Sequence, residues 1–217
     1  MARRWWLCAC LWLVLVCPGL AADPIKILFL GDAGHHRPGD RAAQLVPALK
    51  ERGIEIKYTD DVSVLKQETL NQFDGLLLFA NIDNIDKAAA DALLAYVDSG
   101  KGFIPVHCAT YCFRNDDRIV ALMGGQFQRH GTGVFRTRIV QPSDPIMKGF
   151  DGFASWDETY VHTKHNEENR VVLEVRADDN GFEPYTWTRT HGKGRVFYTA
   201  WGHDERTWGH AGFINLM

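Results

Sequence analysis

The chain lacks the features that would mark a nucleic-acid binder, a disulfide-stapled module or a dinucleotide enzyme. Of its 217 residues five are cysteine, and three of these, Cys8, Cys10 and Cys17, fall at the extreme N-terminus. Cys108 and Cys112 remain, too few for a disulfide framework, and spacing alone does not say whether they pair, stay free or bind metal. Lysine and arginine are scattered rather than gathered into a stripe, which argues against a nucleic-acid partner. Gly31-Asp32-Ala33-Gly34 follows an apolar run but has no third glycine, so no Rossmann-type cofactor is indicated. Repeats, low-complexity tracts and linkers are absent.

What the N-terminus does have is a leader. Arg3 and Arg4 precede an apolar stretch over 7–16, too short to cross a bilayer comfortably, and Pro18, Gly19, Ala21 and Ala22 make a small-residue cleavage region. The pattern predicts a secretory signal peptide over 1–22, rather than a retained membrane anchor, and a periplasmic or secreted location. Cys17 follows Val16, not the small residue that precedes a lipidated cysteine. The leader carries two arginines and no acid, so the formal net charge of −3 becomes −5 in the mature chain. About 195 residues, rich in tryptophan and phenylalanine, then suit one domain over 23–217 with a sizeable core.

Hydrophobic patterning divides that domain into halves. The first reads as strands over 25–31, 54–58, 75–80 and 103–106, separated by helices over 41–52, 64–73 and 87–99. Near-continuous apolar strands alternating with helices imply right-handed crossovers and a parallel sheet, whose ligand sites lie beyond the strands' carboxyl ends. Asp32, His35 and His36 fall there after the first strand, Asn81 after the third, and His107 after the fourth. The second half alternates like exposed strands over 125–131, 134–140, 170–176, 185–190 and 195–200, with His191-Gly192-Lys193-Gly194 as a hairpin turn. A helix begins over 211–217 without a cap, as though the chain were a piece of something longer. The fold expected is α/β and flavodoxin-like: a mostly parallel sheet with helices on both faces and an antiparallel extension in the second half.

The stretches GFIPVHCAT, GGQFQRHG, DPIMKGF, SWDETY and GKGRVFYTAWGHDERTW occur in an order that spans nearly the whole mature chain. In this it resembles the trehalose-utilisation (ThuA-like) family, whose fold is that of class I glutamine amidotransferases. It is similar to domains at the N-terminus of large secreted bacterial proteins that continue into propeller and c-type haem modules, although no Cys-x-x-Cys-His occurs here. In the related amidotransferases the fourth strand ends in a strained turn bearing a nucleophilic cysteine between glycines. Here His107 takes that position, Cys108 comes one residue late, and no glycine flanks either, so the resemblance does not extend to glutamine hydrolysis. The histidine of the amidotransferase triad has a counterpart in His203.

The resemblance implies a shared site from His107, His130 and His203, three imidazoles suited to zinc or another divalent metal, or to acid/base work without one. Asp157 and Glu158 are consecutive, so in extended chain only one faces the pocket. The family pattern favours Glu158, as ligand, base or acceptor for sugar hydroxyls. His36, Trp156 and Tyr160 are candidate substrate contacts, Trp156 by stacking on a pyranose ring. Inert buried thiols are the expectation for Cys108 and Cys112, core or pocket wall for Trp201 and Trp208, and either a cap on the following turn from Asp204 or an inward-reaching Glu205. Together these imply a secreted domain that acts on a small-molecule carbohydrate (a disaccharide, glycoside or keto-sugar) through His107, Glu158 and His203. The alternative is a non-catalytic sugar-binding module of a larger protein.

Overall fold

A computed structural model describes residues 23–178 and 181–217; the predicted signal peptide lies outside them. The first half alternates as its periodicity predicts. β1 (Ile25–Leu30) leads into α1 (Pro38–Lys50), β2 (Ile54–Thr59), α2 (Gln67–Leu70), β3 (Gly75–Leu78), α3 (Lys87–Asp98) and β4 (Gly102–Pro105). α1 starts earlier than its apolar spacing suggests because Pro38, with no N–H to leave unpaired, opens the first turn. Asp86 caps α3 by accepting from the Ala89 N–H at 2.7 Å. The helix expected over 64–73 shrinks to a 3₁₀ turn at Val62–Val64 and the single turn of α2. Beyond β4 comes a 3₁₀ turn, His107–Tyr111, and a helix that the periodicity reading missed, α4 (Asp117–Met123), capped by Asp116 and stopped by Gly124.

The second half is mostly strand: β5 (Gln126–Arg129), β6 (Thr132–Arg136), β7 (Arg138–Ile139), β8 (Ala154–Glu158), β9 (Val161–Thr163), β10 (Arg170–Asp178), β11 (Gly181–His191) and β12 (Gly194–Thr199), then α5 (Glu205–Trp208) and α6 (Ala211–Leu216). The main sheet runs β2-β1-β3-β4-β12-β11-β10-β7. Its first five strands are parallel and its last three antiparallel. β5 pairs with β9 and β6 with β8 in two small antiparallel ribbons. The single strand expected over 134–140 is therefore two, in different sheets, and the chain steps between them at the buried Thr137.

Alternation along β1 feeds both faces of the sheet. Ile27 and Phe29 join a core with Tyr185, Trp187, Tyr198, Trp201, Trp208 and Phe213. Leu28 and Leu30 join another with Leu93, Val97, Phe103 and Met123. Strands covered on both sides need no polar alternation, which is why they read as continuous apolar runs. Among the described residues no helix is long and apolar enough to cross a membrane.

A carboxyl group lies deep in this interior. Glu174 of β10 is fully buried and accepts hydrogen bonds from the hydroxyls of Thr137 and Thr186. Burial raises its pKa, and the two threonine bonds only partly offset that. A carboxyl whose pKa is higher folded than unfolded stabilises the fold at low pH and loses that contribution as pH rises through the folded value. Glu174→Gln should therefore gain stability relative to wild type as pH is raised from 5 to 8, read as urea midpoints at each pH. A gap that narrowed with rising pH would contradict the assignment.

Candidate metal centre

Four side chains meet at the carboxyl end of the parallel strands. His36 lies in the loop after β1, His107 in the turn after β4, His203 after β12, and Glu158 at the end of β8. One possible ligand atom from each lies within 4.8 Å of every other, and the group could hold a metal ion. Val106 bridges Thr199 at the end of β12, which sets the two loops bearing His107 and His203 side by side.

His107 has a backbone φ of 49°, the left-handed region that a side chain with a Cβ rarely enters. The sharp turn is thus made without flanking glycines. The glycine that accommodates it comes from another loop: at Gly202, φ 132°, an added Cβ would stand 3.3 Å from the His107 Cβ. The His107 ring is fully buried and stacks on Tyr160, centroids 4.2 Å apart. Its Nδ1 is 2.7 Å from the Ala200 carbonyl, which can only accept. In the neutral ring the proton therefore sits on Nδ1 and Nε2 carries the lone pair.

His36 follows the same logic. Its Nδ1 bonds the side-chain oxygen of Asn81 at 2.8 Å, leaving Nε2 as the lone-pair nitrogen. Burial, and next the nearby His107, lower its pKa to about 3, so it stays neutral at any ordinary pH. His36 Nε2, His107 Nε2 and His203 Nδ1 are all buried without a hydrogen-bond partner.

These nitrogens surround the Glu158 carboxylate. Oε2 lies 3.2 Å from His107 Nε2, and Oε1 lies 3.1 Å from His203 Nδ1. Both contacts are close but poorly aligned, so neither is a well-formed hydrogen bond. Burial by itself would raise the Glu158 pKa; contact with His107 and His203 outweighs it and holds the carboxyl well below the usual range. The pKa of His203 rises, chiefly through Glu158, against the opposing effect of burial. In its neutral form His107 has no proton on Nε2 to donate, so a hydrogen for the carboxylate comes from His203 or from a second proton on His107. Lone pairs and an anion facing one another at about 3 Å repel unless a cation stands between them. The two nitrogen–oxygen distances, 3.2 and 3.1 Å, come near the roughly 3.4 Å between ligand atoms that a tetrahedral ion with bonds of about 2.1 Å would need, and the remaining pairs lie within 4.8 Å.

Asp157, the neighbour of Glu158, points the other way and is fully buried. It accepts from the backbone N–H of Gly202 at 3.0 Å and of His203 at 3.2 Å, from the Thr207 hydroxyl at 2.6 Å, and from the Glu158 N–H at 2.7 Å. It ties the His203 loop to the strand that carries Glu158. Sequence reasoning gave it no role; the pair of adjacent acids on a strand was the available signal.

His130 sits at the rim with its side chain 37% exposed, Nδ1 3.5 Å from Glu158 Oε1. It is not among the four clustered side chains, and the third imidazole there belongs to His36, which sequence reasoning assigned to substrate. Trp156 is half-buried with its ring 5.7 Å from that of His203, and the Arg206 guanidinium covers one of its faces at 3.6 Å. Tyr160 is buried against His107 and Phe127. His165 lies beside Arg170, and the His162 side chain is fully buried. Both cysteines are free, and burial pushes the Cys108 thiol up and the Cys112 thiol to about 12, which leaves them poor nucleophiles. Asp204 caps α5, and Trp201 and Trp208 are core.

The family model described as "ThuA: Trehalose utilisation" matches residues 26–217, and the chain belongs to that family. No curated protein matches the sequence. Among solved structures, a ThuA-like protein from Bacteroides uniformis is 21% identical with a TM-score of 0.75, covering 91% of this chain and 90% of that one. A ThuA-like protein from Parabacteroides merdae is 18% identical with a TM-score of 0.78, covering 89% and 87%. A β-galactosidase from Rahnella shares the fold over 89% of this chain but 30% of its own, at 14% identity and a TM-score of 0.61. At such identities the likeness is one of fold.

Replacing Asp157 by Asn sets an amide N–H against the backbone donors that the carboxylate now satisfies. Asp157→Asn should cost about 1–3 kcal/mol in urea unfolding. An unchanged midpoint would remove Asp157 from its role as clamp of the His203 loop.

Proposed function

We propose that this chain is a secreted carbohydrate-directed enzyme domain built around a divalent metal held by His36, His107, His203 and Glu158. The observation that carries this reading is the set of three buried ring nitrogens without hydrogen-bond partners, gathered about one carboxylate. Two of the rings have their other nitrogen bound to an oxygen acceptor, the arrangement by which proteins fix the tautomer of a ligating histidine. Imidazoles plus one carboxylate suit zinc best among common divalent ions. When bound, such an ion polarises a carbonyl or lowers the pKa of a bound water.

The chain's own residues would do the remaining work. His130 at the rim is placed to accept from or donate to a sugar hydroxyl. Trp156 beside His203 offers at most one free face to a pyranose ring. Tyr160, buried and stacked on His107, limits how far that ring can tilt. The substrate class is a disaccharide, glycoside or keto-sugar, consistent with a family described by trehalose utilisation. A metal-free reading, in which the positive charge is a proton on His203 paired with Glu158, is favoured by the raised pKa of that histidine.

Zinc titration with elemental analysis separates these readings. Wild type should bind one equivalent, and His107→Ala and His203→Ala should lose it. The affinity should fall as pH drops from 7.5 to 5.5, because protons compete for the ring nitrogens and His203, its pKa raised, is protonated first. Zinc binding of equal strength in wild type and both variants would sink the metal reading. Incubating the zinc-loaded chain with disaccharides and their keto derivatives tests catalysis: product formation is expected, while saturable binding without product would make it a sugar-binding module.

The leader pattern over 1–22 supports export from the cytoplasm, for this domain alone or ahead of propeller and haem modules. N-terminal sequencing of exported protein should begin at Asp23; a retained Met1 would overturn this.

A further inference from the structure

A second set of buried polar side chains converges on the backbone of His107, and the proposed function does not use it. Glu183 Oε1 accepts from the His162 backbone N–H at 3.0 Å and lies 2.9 Å from His162 Nδ1. That fixes the His162 ring proton on Nδ1 and leaves Nε2 to accept from the Tyr198 hydroxyl at 2.9 Å. With its one hydrogen committed to His162, this hydroxyl can only accept from Thr110 Oγ1 at 3.3 Å, and its 3.3 Å approach to the His107 carbonyl oxygen is a contact rather than a second donated bond. The Thr110 hydroxyl lies between the two, its hydrogen shared between the Tyr198 oxygen and the His107 carbonyl at 3.2 Å. The imidazole and the phenol are locked by Trp187, edge-on to His162 and tilted against Tyr198.

Ordinary core packing does not account for this arrangement. Phenylalanine at 198 would fill nearly the same volume, and a dry interior penalises every hydroxyl and imidazole that is not fully bonded. What the Tyr198 hydroxyl adds is a link from the imidazole of His162, by way of Thr110, to the left-handed turn at His107.

We propose that Glu183, His162 and Tyr198 are positioning residues: a buried strut that, with Thr110, holds the left-handed turn at His107 and so aims its Nε2 at Glu158. The inference rests on the reading of His107 as a member of the metal centre. Distortion of the turn swings the ring away from both Ala200 and Glu158, so loss of the strut should show first in the His107 ring and then in metal affinity.

The test uses the full chain labelled with ¹⁵N-histidine, with His107 assigned by difference from His107→Ala. Tyr198→Phe and His162→Phe should shift the His107 ring nitrogens in metal-free protein and weaken zinc binding about tenfold or more, the range seen when outer partners of a ligand are lost. His162→Gln keeps an amide oxygen to accept from Tyr198 and should restore both readouts. Should the His162 variants fold poorly, Tyr198→Phe, which loses a single oxygen, carries the test. His107 signals and zinc affinity in Tyr198→Phe that match wild type would overturn the proposal. If wild type itself binds no zinc, the metal reading fails, and the ring shifts of metal-free Tyr198→Phe still decide on the strut.

Discussion

Glu158 brings a negative charge into a pocket where two imidazoles present lone pairs rather than protons. His36 and His107 each commit a ring N–H outward, to Asn81 and to Ala200, so their inward nitrogens are acceptors. Positive charge relieves that opposition, as a proton on an imidazole or as an ion. The loops that end at this point come from β1, β4, β8 and β12, and the fold's geometry amounts to bringing four strand ends to one anion.

The pleat of a single strand links this electrostatic problem to the backbone. Asp157 and Glu158 face opposite ways on β8, one toward the loop of His203 and one toward its ring. The same two residues thereby fix where the imidazole sits and what it meets. Gly202 completes the arrangement, since its bare Cα lets this loop lie against the turn at His107. The strain in that turn is tolerated because neighbouring groups hold its carbonyl and its ring.

Much of this was legible in the sequence, for identifiable reasons. The parallel strands announced themselves as apolar runs because they are covered on both faces, and His107 and His203 were readable as strand-end residues. DRIVALM, between the cap Asp116 and the stop Gly124, carried an ordinary helix signal and was overlooked beside the histidine and cysteines before it. The break at Thr137 was not legible, because it follows from a hydroxyl bonding a carboxylate in another strand. Nor could the Gly-rich loop after β1 show by pattern that His36 turns inward, since a bond to Asn81, forty-five residues away, decides it. The depth of His162 escaped for the same reason: its partners, Glu183 and Tyr198, arrive from later strands.

β12 lies in the middle of the sheet although it is the last strand made, and its residues Arg195 and Val196 pair with Gly102 and Phe103. Until it docks, β4 exposes one edge and the antiparallel strands have no parallel neighbour to join. Closing so long an excursion is slow, and the open edge invites wrong partners meanwhile. His203 and the carbonyl of Ala200 arrive with this strand, so the histidine centre and the closure of the sheet are completed in one late event. A nascent chain has no centre at all until residues 194–203 are in place.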